Sequence, residues 1–336
     1  MFLEASEAAA VVRAQLMHNE AAVRRFAGRL REAAPRLVVT YARGSSDHAA
    51  TFARYLIETR LGVMTASASP SVTSVYDAAP DMRESLCLVI SQSGKSPDLL
   101  AAAQAASAGG GLVVALVNDE RSPLAGLADL VLPLRAGPEI SVAATKSYIA
   151  ALAAIVQLTA HWMDDGALLD ALSGLPDLLD RAWALDWSAA LPQLQAAGNL
   201  YVVGRGLGFG IAQEAALKFK ETCGLHAEAF STAEVRHGPM ALVGPGFPVL
   251  AFLQDDETRP GAEALIEACV AQGAAVIKAG GGDLAGIQSL PSLQAHPVLE
   301  PIAAIQSFYR LVNALSVARG FDPDRPPHLA KVTETI

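Results

Sequence analysis

Serine, glutamine and glycine cluster in one short stretch of the 336-residue sequence, SQSGKS at residues 91–96. An uninterrupted apolar run, residues 86–90, comes directly before it, and Pro97 comes directly after it. The run predicts a strand buried on both faces, and Pro97 predicts the first turn of a helix with Ser96 as its N-cap. Hydroxyls, an amide and the free backbone N–H groups of a helix start would then converge. This combination predicts an anion site, and phosphate is the expected anion.

Two better-known phosphate loops do not fit this stretch. A P-loop would need glycine at position 89, which is Val89, and no Gly-x-Gly-x-x-Gly pattern is present there. Residues 204–210, GRGLGFG, also miss the dinucleotide pattern because position 209 is Phe209. A nucleotide cofactor is therefore not expected. For residues 91–96, the alternative to an anion site is an ordinary polar turn that only caps a helix.

Three charged residues, Glu214, Lys218 and Glu221, are spaced by four and then three positions. On a helix, this spacing places them on one face. A lysine between two carboxylates could form a proton-transfer site, in which a glutamate moves a proton between two carbons next to a carbonyl. The alternative is a solvent-exposed ladder of charge pairs that only supports the helix.

A polar segment, residues 225–239, follows this helix and fits neither helical nor strand periodicity. It contains two histidines and two glutamates, but their spacing matches no standard metal-ligand pattern, so no metal is expected. His237 precedes a Gly-Pro pair, which predicts a tight turn that could aim the imidazole into a cleft. The alternative is a surface histidine without a role.

Composition limits the classes of protein to which the chain can belong. With 52% hydrophobic and 18% charged residues it can bury a large core, and its length suggests two domains. The net charge of −9 argues against a nucleic-acid partner. The start of the chain lacks the basic segment of a secretory signal, and the longest uncharged stretch, residues 147–163, contains polar side chains. Three widely spaced cysteines indicate a reducing compartment, so a cytoplasmic protein without membrane spans is expected.

Strand-like and helix-like segments alternate along the chain. This alternation predicts α/β domains, each a doubly wound parallel sheet with helices on both faces. In the first half, strands are predicted at residues 36–41, 63–68, 86–90, 111–117 and 130–134, and helices at residues 8–16, 21–34 and 141–163 among others.

The second half of the chain repeats the first. Arg43-Gly44 recurs as Arg205-Gly206, 162 positions later, and two further predicted strands recur at the same offset. Equal offsets argue for a duplicated α/β domain. The predicted boundaries are residues 1–24 for an N-terminal helical segment, 25–170 and 185–320 for the two domains, and 321–336 for a C-terminal tail.

The two copies differ where the first carries its predicted anion site. In place of SQSG at residues 91–94, the second copy has LQDD at residues 253–256, followed by Glu257. Three carboxylates suit a helix N-terminus but repel a phosphate. We therefore expect only the first copy to bind phosphate, and the second copy to carry a different part of the chemistry.

In combination, these motifs resemble the sugar isomerase (SIS) domain family, and most closely the isomerase half of glucosamine-6-phosphate synthases. The resemblance covers nearly all of the chain and implies two tandem flavodoxin-like SIS domains. The motifs that carry it are SQSG at residues 91–94, EISVAATK at 139–146, GRG at 204–206, Glu214 with KFKE at 218–221, HAE at 226–228, EVRHGP at 234–239 and LAK at 329–331.

The resemblance also implies an activity. The sequence has neither the N-terminal glutaminase domain nor the leading cysteine nucleophile of the synthases, so it is most similar to the family's stand-alone glucosamine-6-phosphate deaminases. These convert glucosamine 6-phosphate into fructose 6-phosphate and ammonia without a cofactor. The alternatives within the family are a fructosamine-6-phosphate deglycase and a galactosamine-6-phosphate deaminase. A non-catalytic sugar-phosphate-binding regulator is the alternative of another class. Glu221, His237 and Lys331 argue against it, because binding alone needs no base.

The resemblance further implies a role for individual residues. Glu221 would move a proton between C2 and C1 of the sugar, and Lys218 would assist with hydroxyl protons. His237 would open the sugar ring, reaching in from the neighbouring subunit of a homodimer. Lys331 would close over the open-chain sugar and could form an imine with its keto form. The phosphate and nearby sugar hydroxyls would be bound by Ser45, Ser46, Ser91, Gln92, Ser93 and Ser96 and by backbone groups of Val142 and Ala330.

Overall fold

The chain folds around two parallel five-stranded sheets, each flanked by helices. The computed structural model describes residues 1–282 and 284–331. These residues group into two units. The N-terminal-sheet unit comprises Ala10–Glu139, Lys146–Gly174 and the residues from Ala330 onward, and the C-terminal-sheet unit comprises Met1–Ala9, Ile140–Thr145 and Leu175–Leu329.

Helices and strands alternate along most of the described residues. The first elements are α1 (Phe2–Ser6), α2 (Ala8–Ala33), β1 (Leu37–Tyr41), α3 (Ser45–Leu61), β2 (Met64–Ser67), α4 (Ser71–Ser74), β3 (Ser85–Ser91), α5 (Pro97–Ala108), β4 (Leu112–Val117), β5 (Leu130–Pro133), α6 (Lys146–Met163) and α7 (Gly166–Ser173). The elements that follow are α8 (Leu175–Ala184), α9 (Leu191–Ala196), β6 (Asn199–Gly204), α10 (Leu207–Cys223), β7 (His226–Ser231), β8 (Pro248–Phe252), α11 (Arg259–Ala271), β9 (Ala275–Ala279), β10 (Gln288–Leu290) and α12 (Glu300–Ala318). Short 3₁₀ turns lie at Ala125–Leu127, Ser188–Ala190, Glu234–His237 and Pro239–Leu242.

Both sheets have the same strand order. The first runs β2-β1-β3-β4-β5, with parallel pairs throughout. The second runs β7-β6-β8-β9-β10, which is the same order when its strands are counted from β6. In this flavodoxin-like order, the chain leaves two neighbouring strands in opposite directions, which opens a crevice at their carboxyl ends. The predicted fold class, two tandem doubly wound parallel α/β domains, is confirmed.

Two glycine turns show the duplication in detail. Helix α10 starts at residue 207, which is 162 residues after the start of α3 at residue 45. Gly44 and Gly206 precede these helices and share an unusual backbone conformation, with φ of 54° and 58° and ψ of −131° and −129°. Glycine adopts such a conformation without the steric penalty that a Cβ atom would bring. The sequence offset is therefore a structural repeat.

Each sheet has its own hydrophobic core. In the first, Val89 of β3 and Leu99 of α5 belong to a buried cluster that includes side chains of β1 and β4. In the second, Val203 of β6 and Leu265 of α11 belong to a buried cluster that includes side chains of β8 and β9. Continuous apolar strands of this kind are expected where helices cover both faces of a sheet. None of the helices described is both long and apolar enough to span a membrane.

Helix α2 is continuous, whereas the sequence predicts two separate helices over residues 8–16 and 21–34. The polar residues in the gap fit a helix because they find hydrogen-bond partners on neighbouring elements. Asn19 donates to the carbonyl of Pro133 (2.9 Å), and Glu20 accepts from the side-chain amide of Gln157 (3.1 Å). The predicted break is therefore wrong.

Helix α6 begins at Lys146 and not at residue 141, as the sequence predicts. The amides just before it are used by other parts of the C-terminal-sheet unit. The Ser141 amide donates to the Glu4 carboxylate (3.3 Å), and the Val142 amide donates to the carbonyl of Asp324 (3.3 Å). These contacts hold the chain in an irregular segment and delay the start of the helix.

Strand β7 lies in the segment that the sequence assigns to neither helix nor strand. It is the edge strand of the second sheet, and it pairs only with β6 among the described strands. Ala227 is its one buried residue, while His226 and Glu228 on either side are exposed. The prediction is wrong because an edge strand keeps polar side chains in solvent, which hides the apolar alternation.

Candidate active site

The predicted phosphate loop connects β3 to α5 through a tight turn. The hydroxyl of Ser91 accepts from the amide of Gly94 (3.1 Å), and the hydroxyl of Ser93 accepts from the amide of Lys95 (3.4 Å). Gly94 has a φ of 63°, and a Cβ atom there would lie 2.3 Å from the Ser122 hydroxyl. The turn therefore requires glycine, and it holds both serines at the carboxyl edge of the sheet.

Helix α5 starts where the sequence predicts. Pro97 is its first residue and Ser96 is its N-cap, so both predictions are confirmed. Within the described part of the chain, the Ser96 side chain makes no capping hydrogen bond. The Ser96 hydroxyl is thus not committed to the helix, whereas the Leu99 amide already donates to the Asp98 carboxylate (2.8 Å). Such a helix start attracts anions.

An ion pair between a buried aspartate and an exposed arginine links this helix start to the neighbouring one. Asp98 is fully buried and accepts from Nε (3.0 Å) and Nη2 (2.8 Å) of Arg43. Arg43 follows β1, which pairs with β3, and half-buried Ser45 and Ser46 open α3 just after it. The two helix starts meet where the strand order reverses, which is where ligands bind in sheets of this kind. Gln92, also half-buried, lies in the loop between them.

The corresponding helix start in the second sheet carries acids of the chain itself. Asp256 accepts from the amide of Thr258 (2.9 Å), the residue that precedes α11. Asp255 pairs with Arg259 in the first turn of α11 (2.8 Å). Carboxylates thus lie where an anion would bind, and they repel further negative charge. This arrangement favours the expectation that phosphate binds only to the first copy.

Helix α10 carries a buried charge cluster. Lys218 Nζ lies 3.1 Å from Glu214 Oε1 and 2.7 Å from Glu221 Oε2. The side chains of Lys218 and Glu214 are fully buried, whereas that of Glu221 is 20% exposed. The predicted shared helix face is confirmed. The alternative, a solvent-exposed ladder, is wrong because two of the three side chains reach no solvent.

Lys218 keeps its positive charge despite its burial. Removal from water disfavours the ammonium, but the carboxylates of Glu214 and Glu221 outweigh this effect and raise the pKa of Lys218 above its usual range. Lys218 therefore acts as a hydrogen-bond donor and a fixed charge, and not as a base. Of the three groups, Glu221 has the carboxylate that a ligand can reach from solvent.

A tyrosine from a distant part of the chain completes this cluster. Tyr309 on α12 is fully buried, and its hydroxyl donates to Glu214 Oε1 (3.1 Å). Helices α10 and α12 pack against each other. The sequence analysis misses Tyr309, because 95 residues separate it from Glu214 and no local pattern connects them.

His237 lies at the end of the 3₁₀ turn Glu234–His237 and is exposed. Val235 anchors this turn in the core, and Gly238 follows with a φ of 134°. The hydroxyl of Tyr201 donates to the carbonyl of Pro239 (3.0 Å) and fixes the next residues. The predicted tight turn is confirmed, and it leaves the imidazole open to solvent.

Lys331 lies against a buried acid to which the sequence analysis gives no role. Its Nζ is 3.4 Å from Glu139 Oε2, and the Glu139 side chain is fully buried. Glu139 also accepts from the hydroxyl (2.6 Å) and the amide (3.2 Å) of Ser147 near the start of α6. The signal that points to Glu139 is its place at the head of the EISVAATK motif.

The two residues expected to offer backbone groups lie in irregular segments. The Val142 amide already donates to Asp324, so its carbonyl is the group that it can present. Ala330 is exposed and directly precedes Lys331. The binding roles of both residues stay predictions.

The fold and these side chains define a class of protein. It has two tandem parallel α/β domains, a serine-rich loop at a helix start in one copy and a buried acid–lysine cluster in the other. The family model of the SIS domain matches residues 33–161 and 193–279, which together exceed half of the chain. The chain belongs to the SIS domain family, as its motifs predict.

Similar proteins include isomerizing aminotransferases. A glutamine–fructose-6-phosphate aminotransferase (isomerizing) of Aeropyrum pernix is 36% identical over 317 residues, which cover 89% of this chain and 51% of the relative. The chain thus spans about half the length of the curated relatives that it matches. A Silicibacter pomeroyi DSS-3 structure, provisionally assigned as a phosphosugar isomerase, has a TM-score of 0.92 at 42% identity and covers 96% of this chain and 99% of that one. The C-terminal domain of a Francisella tularensis glucosamine-fructose-6-phosphate aminotransferase shares the fold, with a TM-score of 0.84 at 24% identity over 96% and 97% of the two chains.

Proposed function

We propose that the chain isomerises and deaminates an amino-sugar phosphate, converting glucosamine 6-phosphate and water into fructose 6-phosphate and ammonia. The observation that carries the proposal is the α10 cluster, in which a buried ammonium holds the reachable carboxylate of Glu221. A protein that only binds sugar phosphates does not require buried charges of this kind, which are costly to remove from water. Similarity to isomerizing aminotransferases and to a structure provisionally assigned as a phosphosugar isomerase supports the substrate class.

The substrate phosphate would bind at the loop between β3 and α5. A fixed phosphate supplies binding energy that positions the reacting carbons several bonds away. The serine hydroxyls at the two helix starts suit this role, because each can donate a hydrogen bond to an anion and carries no charge. The side chains assigned to it are Ser45, Ser46, Ser91, Gln92, Ser93 and Ser96.

The chemistry needs one base that serves two neighbouring carbons. Ring opening gives an aldehyde at C1 beside the amine at C2. Glu221 would take the proton from C2 while the aldehyde oxygen gains one, and would then return a proton to C1. The resulting 2-imine adds water at C2, and ammonia leaves. One water is consumed and one ammonia is released, so the balance requires no oxidant or reductant.

Three further side chains would assist this base. Lys218, with its fixed charge, would orient Glu221 and support proton movement at the sugar hydroxyls. His237 would open the ring as a general acid–base group, and it would come from the neighbouring subunit of a homodimer. Lys331, held by the buried carboxylate of Glu139, would close over the open-chain sugar.

The test is an assay of the protein with glucosamine 6-phosphate, galactosamine 6-phosphate and fructosamine 6-phosphate, with ammonia and the sugar product measured. Ammonia and fructose 6-phosphate from glucosamine 6-phosphate would support the proposal. Turnover restricted to another substrate of the panel would identify a galactosamine-6-phosphate deaminase or a deglycase instead. Exchange of the C2 hydrogen in D₂O without ammonia release would indicate an isomerase that serves synthesis. Binding with neither exchange nor turnover would favour the regulator and refute an enzyme.

A further inference from the structure

We infer that Tyr309 is a positioning residue for proton transfer, because its hydrogen bond to Glu214 keeps the Lys218 ammonium directed toward Glu221. The inference rests on the proposed function, since it assigns a part in the same cluster. Tyr309 is fully buried and does not touch a substrate, so it acts only through its neighbours.

The geometry places two donors on one oxygen. Tyr309 Oη and Lys218 Nζ each lie 3.1 Å from Glu214 Oε1, while Lys218 Nζ lies only 2.7 Å from Glu221 Oε2. Because Glu214 Oε1 already accepts a hydrogen bond from the Tyr309 hydroxyl, it attracts the Lys218 ammonium less strongly. Electrostatic attraction is strong around the buried Lys218 and Glu214. The hydrogen bond from Tyr309 to Glu214 therefore decides whether Lys218 lies closer to Glu214 or to Glu221. The phenol therefore leaves the ammonium available to Glu221.

The first copy of the repeat shows that the fold does not require this polar set. The two buried cluster positions of α10 correspond to Phe52 and Leu56 of α3, 162 residues earlier, and both are fully buried. Helix α6 packs against α3 as α12 packs against α10, and residues 149–156 of α6 are all apolar and buried. Apolar side chains thus fill the same helix pair in the first copy. Since apolar replacement of buried charges is often neutral or stabilising, the polar set in the second copy indicates a role beyond stability.

Removal of the Tyr309 hydroxyl should move the Lys218 ammonium toward Glu214 and away from Glu221. In Tyr309→Phe, the buried Glu214 would draw Lys218 more strongly, and Glu221 would lose its aligned partner. We expect kcat to fall by about 10- to 100-fold, the effect of one lost hydrogen bond to a charged group. KM should stay unchanged because no substrate contact is removed.

Ser316→Ala is the matched control. Ser316 is also buried on α12, and its hydroxyl donates to the carbonyl of Thr222 on α10 (2.7 Å). This variant removes one buried hydrogen bond between the same two helices, but its acceptor is an uncharged carbonyl. We expect it to keep both kcat and KM. Equal losses of kcat in the two variants, or an unchanged kcat in Tyr309→Phe, would overturn the inference.

Crystal structures of the wild type and both variants give a readout that does not depend on turnover. The distance from Lys218 Nζ to Glu221 Oε2, 2.7 Å in the wild type, should exceed hydrogen-bond range in Tyr309→Phe and stay unchanged in Ser316→Ala. An unchanged distance in Tyr309→Phe would refute the positioning role. If the wild type turned over none of the amino-sugar phosphates, the proposed function would fail, and this distance would still decide the role of Tyr309.

Discussion

Substitution of Glu221 by glutamine should remove most of the turnover from a folded protein. Glutamine keeps the size of the side chain and can still accept a hydrogen bond from Lys218, but it cannot take up a proton. Loss of a general base of this kind lowers kcat by about 10²- to 10⁴-fold. KM for the sugar phosphate should change little, because the serines of the phosphate loop are untouched.

The loss in free energy of unfolding caused by Glu221→Gln shows whether Lys218 and Glu221 form a buried or an exposed ion pair. Lys218 would keep Glu214 at 3.1 Å as an ion-pair partner, so the buried charge would not be left alone. A hydrogen bond to a charged group contributes about 1.5–3 kcal/mol, which is the upper limit of the loss because glutamine still accepts from Lys218. An exposed pair at this helix spacing would contribute only about 0.2–0.5 kcal/mol. Urea unfolding would measure the difference, and the larger loss is expected here.

Glu263→Gln is the matched control for Glu221→Gln. The Glu263 side chain is 25% exposed and pairs with Arg259 on α11 (2.8 Å), which resembles the exposure and pairing of Glu221. The assay would follow ammonia release, and separately the loss of the C2 hydrogen to D₂O by mass spectrometry. Glu221→Gln should suppress both signals, and Glu263→Gln should suppress neither. Wild-type turnover by Glu221→Gln would refute the proposed proton shuttle, and continued C2 exchange without ammonia release would move Glu221 to a later step.

Three further outcomes are expected. Ser93→Ala should mainly raise KM, whereas Asp255→Ala, 162 positions later, should leave KM near its wild-type value; a co-crystal with the substrate phosphate at Asp255 would contradict this. Glu221→Gln and His237→Ala, each inactive alone, should regain partial activity when mixed as heterodimers, and no recovery after verified subunit exchange would argue against a shared site. All three cysteines should resist a thiol reagent such as DTNB in the native protein and react after unfolding, because burial raises the pKa of the Cys87 thiol to about 12 and also raises those of the other two. A thiol that titrates rapidly under native conditions would count against this packing.

The sequence predicts a strand correctly where the strand is buried along its whole length. β3 is buried along its whole length, and its residues 86–90 form one uninterrupted apolar run that is recognisable without the structure. β7 is an edge strand, and its exposed His226 and Glu228 conceal it. The repeat supplies the missing signal, since β2 begins at residue 64 and β7 begins 162 positions later, at residue 226. A comparison of the two copies therefore recovers an element that periodicity misses.

In the candidate site, too, the sequence predicts contacts between residues that are close along the chain and misses those between distant residues. The spacing of Glu214, Lys218 and Glu221 on one helix predicts that they meet, because helix geometry is local. Their burial depends on packing against α12, and no feature within α10 reveals it. The pairing of Glu139 with Lys331 joins residues 192 positions apart and has the same origin. Residue types and helical spacing were thus predictable, whereas partners brought by tertiary packing were not.

The duplication also gives a physical reason for the proposed division of tasks between the copies. The first copy has Ser93 where the second has Asp255, and Asp98 in the first turn of α5 is paired with Arg43, so this helix start carries less negative charge than its counterpart. A proton-transfer cluster needs buried charges, and the first copy fills those helix positions with Phe52 and Leu56. Changes in the predicted phosphate loop remove hydrogen bonds to a part of the substrate that does not react, so they should act mainly on KM. Changes in the α10 cluster remove the proposed base or its orienting charge, so they should act mainly on kcat.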